Sequence, residues 1–262
     1  MLNEIKIRLD VFWKYRNLLK NLVSRDIKVR YRRSVLGMLW TVLNPLLMMI
    51  ILTIVFSTLF KQNIEHFPIY YLSGSLIFSF CTETTSNAQY SILGNAALMK
   101  KVYIPKYLFP LSKVMSGIVN LGFSLTAMFI VMVVLKVDFK ATLLLLPIPI
   151  FYTFLFAVGL GLFLAATTVF FRDLAPFYSV FTMAWTYLTP IFYPVEILPE
   201  TVLKVVYFNP MYHYVQYMRN LVLYGVFPSM TENLVCFLMG VIMLVVGTVV
   251  FYRKQDNFIL YI

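Results

Sequence analysis

The sequence predicts an all-α integral membrane protein, and three observations carry that prediction. The 262 residues are 61% hydrophobic and only 13% charged, about half the charged share of an ordinary soluble domain. Apolar runs of spanning length recur along the chain, and the first carries no charge between Arg33 and Lys61. Roughly 20 such residues cross a bilayer core as a helix. Short segments of alternating polarity, the mark of a membrane barrel, do not dominate. The full expectation is six transmembrane helices, an N-terminal amphipathic interfacial helix, and re-entrant outer helices between spans 5 and 6.

Residues 1–35 form the first unit. Ile5, Leu9, Phe12, Trp13, Leu19, Leu22, Val23 and Ile27 recur at three- and four-residue spacing, interleaved with lysine and arginine. That pattern predicts an amphipathic helix in the inner interface, its basic stems reaching to headgroups. A solvated basic tail is the plainer alternative. The segment is polar for too long to be a cleaved signal peptide, so the first span is expected to act as its own insertion signal.

Residues 36–262 form the second unit, a six-helix membrane domain. The spans are expected at about 36–60, 68–94, 107–135, 141–170, 177–193 and 233–252. Pro45 removes a backbone donor inside the first, which predicts a kink there. The second is unusually polar and places Glu83 near mid-membrane. An ionisable residue at that depth has two readings: a functional group facing a cavity, or a structural carboxylate between helices. Gly159 and Gly161 in the fourth span permit close helix approach. The stretch 194–228 has Pro194, Pro199 and Pro210 between apolar pieces too short to span, which fits short helices dipping into the outer leaflet.

Charge orients this topology. Of the 22 lysines and arginines, 17 fall in segments placed inside by six spans with both termini cytoplasmic, as the positive-inside rule requires. The net charge of +11 therefore reads as topology and attraction to anionic lipid, not as a nucleic-acid surface.

Most chemistries are absent. Cys81 and Cys236 sit in apolar runs, with no disulfide framework or metal spacing. There is no GxxxxGK[ST] phosphate loop, HExxH or GxSxG motif. His66 and His213 are far apart, and His213 reads as structural. Glu83 alone is too little for a membrane enzyme, and no internal repeat points to an ion-coupled carrier. What remains is a pathway-forming subunit whose energy comes from another polypeptide.

Several stretches then carry a resemblance: RDIKVRYRRSVLGMLWTVLNPL at 25–46, NAALMKKVYIPK at 95–106, FFRDL at 170–174, and PIFYPVEILPE followed by YFNPMYHYVQYMRNLVLYG. In this order the chain resembles, over essentially its whole length, the membrane subunit of type 2 ABC exporters, nearest the permeases for cell-surface polysaccharides (O-antigen, capsule and teichoic-acid classes). The resemblance implies a homodimer in the bacterial cytoplasmic membrane, with two cytoplasmic ABC ATPase subunits that hold ATP and Mg; this chain itself needs no cofactor. It implies that residues 1–35 are an elbow helix and that 95–106 is the coupling helix docking on the ATPase. Arg172 and Asp173 supply the second contact, and 194–224 closes the pathway outside.

Physical roles follow from those assignments. Leu98, Met99, Val102 and Tyr103 would form the apolar knob seated in the ATPase, with Lys100 and Lys101 at its rim. A sugar conduit wants aromatic faces, so Tyr70, Tyr71, Phe78, Tyr90, Tyr187, Tyr207, Tyr212, Tyr214 and Tyr217, with Glu83, are the pathway candidates. For each aromatic an interfacial belt is the alternative. Arg30, Arg32 and Arg33 are placed to attract a phosphate end, against a merely solvated basic face. The expected function is export of a lipid-linked polysaccharide or teichoic polymer. The alternatives are a type 2 permease for a drug, lipid or other amphiphile and, from another class, an ion-coupled carrier or membrane enzyme.

Overall fold

The computed structural model describes residues 2–32, 34–58, 64 and 66–262, with side chains from Trp13 onward except at 33, 57–63 and 65. Arg33 and the Ile5, Leu9 and Phe12 side chains lie outside the described residues. The chain is helical throughout: α1 (Leu2–Tyr31), α2 (Trp40–Thr58), α3 (Phe67–Gln89), α4 (Ala96–Met99), α5 (Leu108–Val134), α6 (Pro147–Phe170), α7 (Leu174–Leu188), α8 (Glu200–Tyr207), α9 (Pro210–Arg219), a π-helical turn (Asn220–Tyr224), α10 (Met230–Lys254) and α11 (Phe258–Tyr261). No strand occurs among the described residues.

Four stretches are long and apolar enough to cross a membrane: Gly37–Phe56, Leu108–Val134, Ala141–Phe170 and Met230–Tyr261. Six were expected, and the other two fall short for different reasons. Helix α3 carries Glu83 among serines, threonines and Asn87. Helix α7 has 15 residues, about 22 Å of rise against a core of about 30 Å.

Helix α3 is the centre of the bundle, packing against α2, α5, α6, α7 and α9. Its buried threonines need no water: Thr84 Oγ1 donates to the Phe80 carbonyl at 2.7 Å and Thr85 Oγ1 to that of Cys81 at 2.7 Å. Such back-bonding lets a polar helix sit inside an apolar bundle. Lipid tails are as apolar as leucine, so close packing has to hold the helices together. The tightest case joins α6 to α10, where a Cβ on Gly247 would lie 1.9 Å from the Gly159 carbonyl oxygen. Gly161 meets α3, its added Cβ lying 3.0 Å from that of Ala88.

Pro45 lies inside α2 and cannot donate to the carbonyl of Thr41, one turn earlier. Ser124 of α5 does so instead, its Oγ 3.0 Å from that oxygen. The neighbouring helix supplies the donor that the proline withholds.

Helix α1 rests on the bundle and does not contact lipid alone. Leu19 and Leu22 are buried, the helix packs on α5, and the Tyr31 hydroxyl donates to Asn120 Oδ1 at 3.3 Å. Lys113 Nζ lies 2.8 Å from Asp26 Oδ2, a charge contact without hydrogen-bond geometry. At the other end of the chain, Phe258 of α11 is buried against Phe251 and Phe170. Lys106 Nζ donates to the Gln255 carbonyl at 2.6 Å.

Between α7 and α10, Asn209 organises the short helices. It caps α9 by accepting from the Met211 N–H at 3.0 Å, accepts from Trp185 Nε1 at 2.8 Å and donates to Thr189 Oγ1 at 2.8 Å. The Asn-Pro pair at 209–210 is an N-cap followed by proline at the first helical position.

Candidate transport groove

The face of α3 that its own chain leaves open is polar. Ser79, Glu83, Asn87 and Tyr90 are exposed, with Thr82 and Ser86 partly so. Their spacing of three and four residues makes one stripe along the helix. A serine, glutamate and asparagine stripe does not face hydrocarbon, where unsatisfied polar groups cost several kcal/mol each. It opens into a groove with two connected chambers. The inner one, about 560 Å³, lies among α1, α2, α3 and α5. The outer one, about 510 Å³, lies among α2, α3 and α7. Met48, Tyr71, Ser75 and Ser79 line both, so the two are continuous.

The inner mouth holds an ion pair between Arg30 Nη1 and Glu83 Oε1. Among the described residues they are the only charged side chains lining that chamber. Burial works against the charge on Arg30, but the Glu83 carboxylate and Tyr31 outweigh it and hold the guanidinium above its ordinary value. Glu83 sits six residues from the end of α3, about 9 Å along the axis. That is on the Gln89 side of the middle of the helix.

Aromatic rings form the outer end of the groove. Phe56 stacks on Phe67 at 5.5 Å and meets Phe192 at 5.7 Å, while Tyr187 packs edge-on to Phe192 at 5.9 Å. Behind this cluster is a buried cation that the sequence reading passed over. Arg219 is 1% exposed, and its Nη2 donates to the Ile191 carbonyl at 2.7 Å. An arginine in a segment placed outside runs against the positive-inside tendency, which was the available signal.

The predicted pathway residues divide. Glu83, Tyr71, Phe78 and Tyr187 line the groove. Tyr90 is 54% exposed at the inner end of the stripe, beside Arg25 and Lys113 in a separate polar pocket of about 340 Å³. The remaining tyrosines do not line either chamber. Tyr70 is buried and donates to the Tyr193 carbonyl at 2.9 Å. Tyr207 and Tyr212 pack edge to face at 5.6 Å on the outer helices. Tyr214 and Tyr217 are turned to α10, donating to the Cys236 carbonyl at 3.1 Å and to Asn233 Oδ1 at 2.8 Å. Their spacing of three residues puts both on the packed face of α9. Arg32 is exposed in the turn just after α1 and lines no part of the groove.

The expected coupling residues lie beside the C-terminal tail, where Lys100 and Lys106 reach Ile262 and Gln255. There α4 is a single turn, and the knob differs from the expected set. Met99 is buried in the chain's own core and Leu98 is partly buried against it. Val102 and Tyr103 project, 52% and 89% exposed. Lys100 and Lys101 are exposed, and Lys100 Nζ donates to the Ile262 carbonyl at 2.6 Å. Arg172 and Asp173 are both exposed in the turn before α7. His213 Nε2 donates to the Tyr207 carbonyl at 2.8 Å, a structural contact. Among the described residues no three His, Cys, Asp or Glu side chains come together to hold a metal.

Residues 17–223 match the ABC-2 type transporter family. The chain is 28% identical over 245 residues to the O-antigen export system permease protein RfbA of Klebsiella pneumoniae, covering 92% of this chain and 93% of that protein. It is 32% identical to the protein of the same name from Myxococcus xanthus over 72% of each chain. It is 23% identical to the capsule polysaccharide export inner-membrane protein CtrC of Neisseria meningitidis, over 73% of this chain and 74% of that one.

Proposed function

This chain belongs to the ABC-2 type transporter family, and we propose that it is the permease subunit of an exporter that carries a lipid-linked cell-surface polysaccharide across the cytoplasmic membrane. The relatives named for O-antigen and capsule export support the cargo class. The observation that carries the pathway is the open polar stripe of α3, a surface that requires water, sugar or a partner in place of lipid.

In this reading six helices span, with α3 and α7 completing the four long apolar ones and both termini inside. Two copies form a homodimer, and each groove contributes to a conduit at or beside the seam. Tyr71, Phe78 and Tyr187 offer rings on which sugar faces slide with little directional demand, while Ser75, Ser79 and Thr82 exchange hydrogen bonds with hydroxyls. Two cytoplasmic ABC ATPase subunits hold ATP and Mg and dock on Val102, Tyr103, Arg172 and Asp173. Helices α8 and α9 close the outer side, held to α7 by Asn209.

The test is depletion. Cells lacking the protein should retain lipid-linked polymer on the inner leaflet, and the purified protein should bring an ATPase subunit with it. Normal surface polymer after depletion rejects the polysaccharide reading, and transport by the lone chain in ATP-free vesicles rejects the ABC reading.

A further inference from the structure

The ion pair at the inner mouth does more than close a charge balance. Arg30 belongs to α1 and Glu83 to α3, two elements that otherwise scarcely touch, since α1 packs on α5. Helix α1 would stay in place without the pair, held by the Tyr31–Asn120 hydrogen bond and by Lys113 beside Asp26. Both side chains remain open to the groove, 37% and 49% exposed, so an incoming group reaches them without any helix moving. A guanidinium takes a carboxylate or a phosphate in the same forked geometry. A pyrophosphate offers more charge and more acceptor oxygens than one carboxylate.

We propose that Arg30 is the residue that reads the phosphate end of the cargo, and that Glu83 occupies it as a stand-in until that end arrives. The inference rests on the polysaccharide-export reading, which supplies a cargo with a polyprenyl phosphate or pyrophosphate end. On entry the phosphate takes the Arg30 guanidinium from Glu83. The released carboxylate then faces an anion across the groove, so the pair does not re-form while cargo is present. An uncharged amphiphile cannot make this exchange, because it offers Arg30 nothing better than Glu83. The arrangement would hold anionic ends in preference to neutral ones.

Binding to the whole protein in phosphatidylcholine nanodiscs tests the exchange, with undecaprenyl pyrophosphate, undecaprenol and inorganic pyrophosphate as probes. Undecaprenyl pyrophosphate should bind and undecaprenol should not compete with it. Glu83→Gln should tighten that binding by about tenfold, the factor expected when a charge-assisted competitor is removed. Arg30→Gln should weaken it by at least about tenfold, and the double variant should match Arg30→Gln, since Glu83 acts only through Arg30. Arg30→Lys, which keeps the charge and loses the fork, should fall between. Adding phosphatidylglycerol to the discs should compete only if a bulk headgroup is the true ligand; strong competition overturns the cargo assignment. Weakened or unchanged binding in Glu83→Gln, at an unchanged melting temperature, overturns the exchange alone. No binding by the unaltered protein overturns both the exchange and the export reading beneath it.

Discussion

The guanidinium carbon of Arg219 lies 3.5 Å from the centroid of the Tyr70 ring, while Nε points to the Tyr70 carbonyl at 3.4 Å and Nη2 to that of Ile191. Among the described residues no carboxylate pairs with it. The charge is met by a ring face and two carbonyls instead, which fastens α9 to α3 and to the stretch that carries Phe192. Gly74 leaves room for it, since an added Cβ would lie 3.0 Å from Nη2. Arg219→Ala should cost about 2–4 kcal/mol, the desolvated ring contact plus two orphaned carbonyls, read as a lower melting temperature in detergent. Arg219→Lys should not rescue it, because a point charge cannot serve ring and both carbonyls together. A lysine variant melting with the unaltered protein would reject this account.

Accessibility should follow the α3 stripe. Cys81 and Cys236 are both buried, so the natural background should react slowly with thiol reagents. Single cysteines at Ser79, Ser86 and Asn87 should label with a membrane-impermeant maleimide in inside-out vesicles, and one at Leu72, which is fully buried and lines neither chamber, should not. Equal labelling at all four would mean that the stripe does not line an aqueous groove.

In the proposed coupling segment the exposed and buried halves should separate cleanly. Val102→Asp and Tyr103→Asp should lower export, with ATP hydrolysis by the complex persisting and the melting temperature held. Met99→Asp, which buries a carboxylate, should instead destabilise by several kcal/mol. Should the Val102 and Tyr103 variants export normally, this segment is not the coupling element.

The Ser124 hydroxyl and the proline it compensates should be energetically coupled. Ser124→Ala should cost about 1 kcal/mol in the natural background, where Pro45 has no N–H to offer the Thr41 carbonyl. In Pro45→Ala the helix supplies its own N–H, and the same change should cost almost nothing. A double-mutant cycle measures this; additivity would show that the hydroxyl is incidental.

Much of this architecture was legible because lipid leaves few options. Charge-free runs fixed the apolar helices, Pro45 announced a missing donor, and Gly159 marked a close approach. The polar character of α3 was also legible, but its two faces were not. Thr84 and Thr85 bond their own helix whereas Ser79 and Glu83 face the groove, and only the packing of α5 and α6 decides which side is covered. The tyrosines of α9 misled for a related reason. Tyr214 and Tyr217 have the composition of a sugar-facing surface, yet their hydroxyls are spent on Cys236 and Asn233 of α10, the next long helix. Arg30 and Glu83 were each singled out; that they meet across more than fifty positions was beyond any local pattern.

The contact between Gly159 and Gly247 also has a consequence for the order in which the protein is made. The two glycines are separated by the whole of α7, α8 and α9, so α6 enters the membrane long before α10 exists to cover it. During that interval the backbone flank at Gly159 has only lipid beside it, and α3 and α5 must hold α6 upright. Arrival of α10 closes the seam in one step and brings Cys236 and Asn233 to the tyrosines waiting on α9. Biogenesis should therefore show a late, abrupt gain in protease resistance as α10 inserts, and a bulky side chain at Gly247 should stall the protein just short of it.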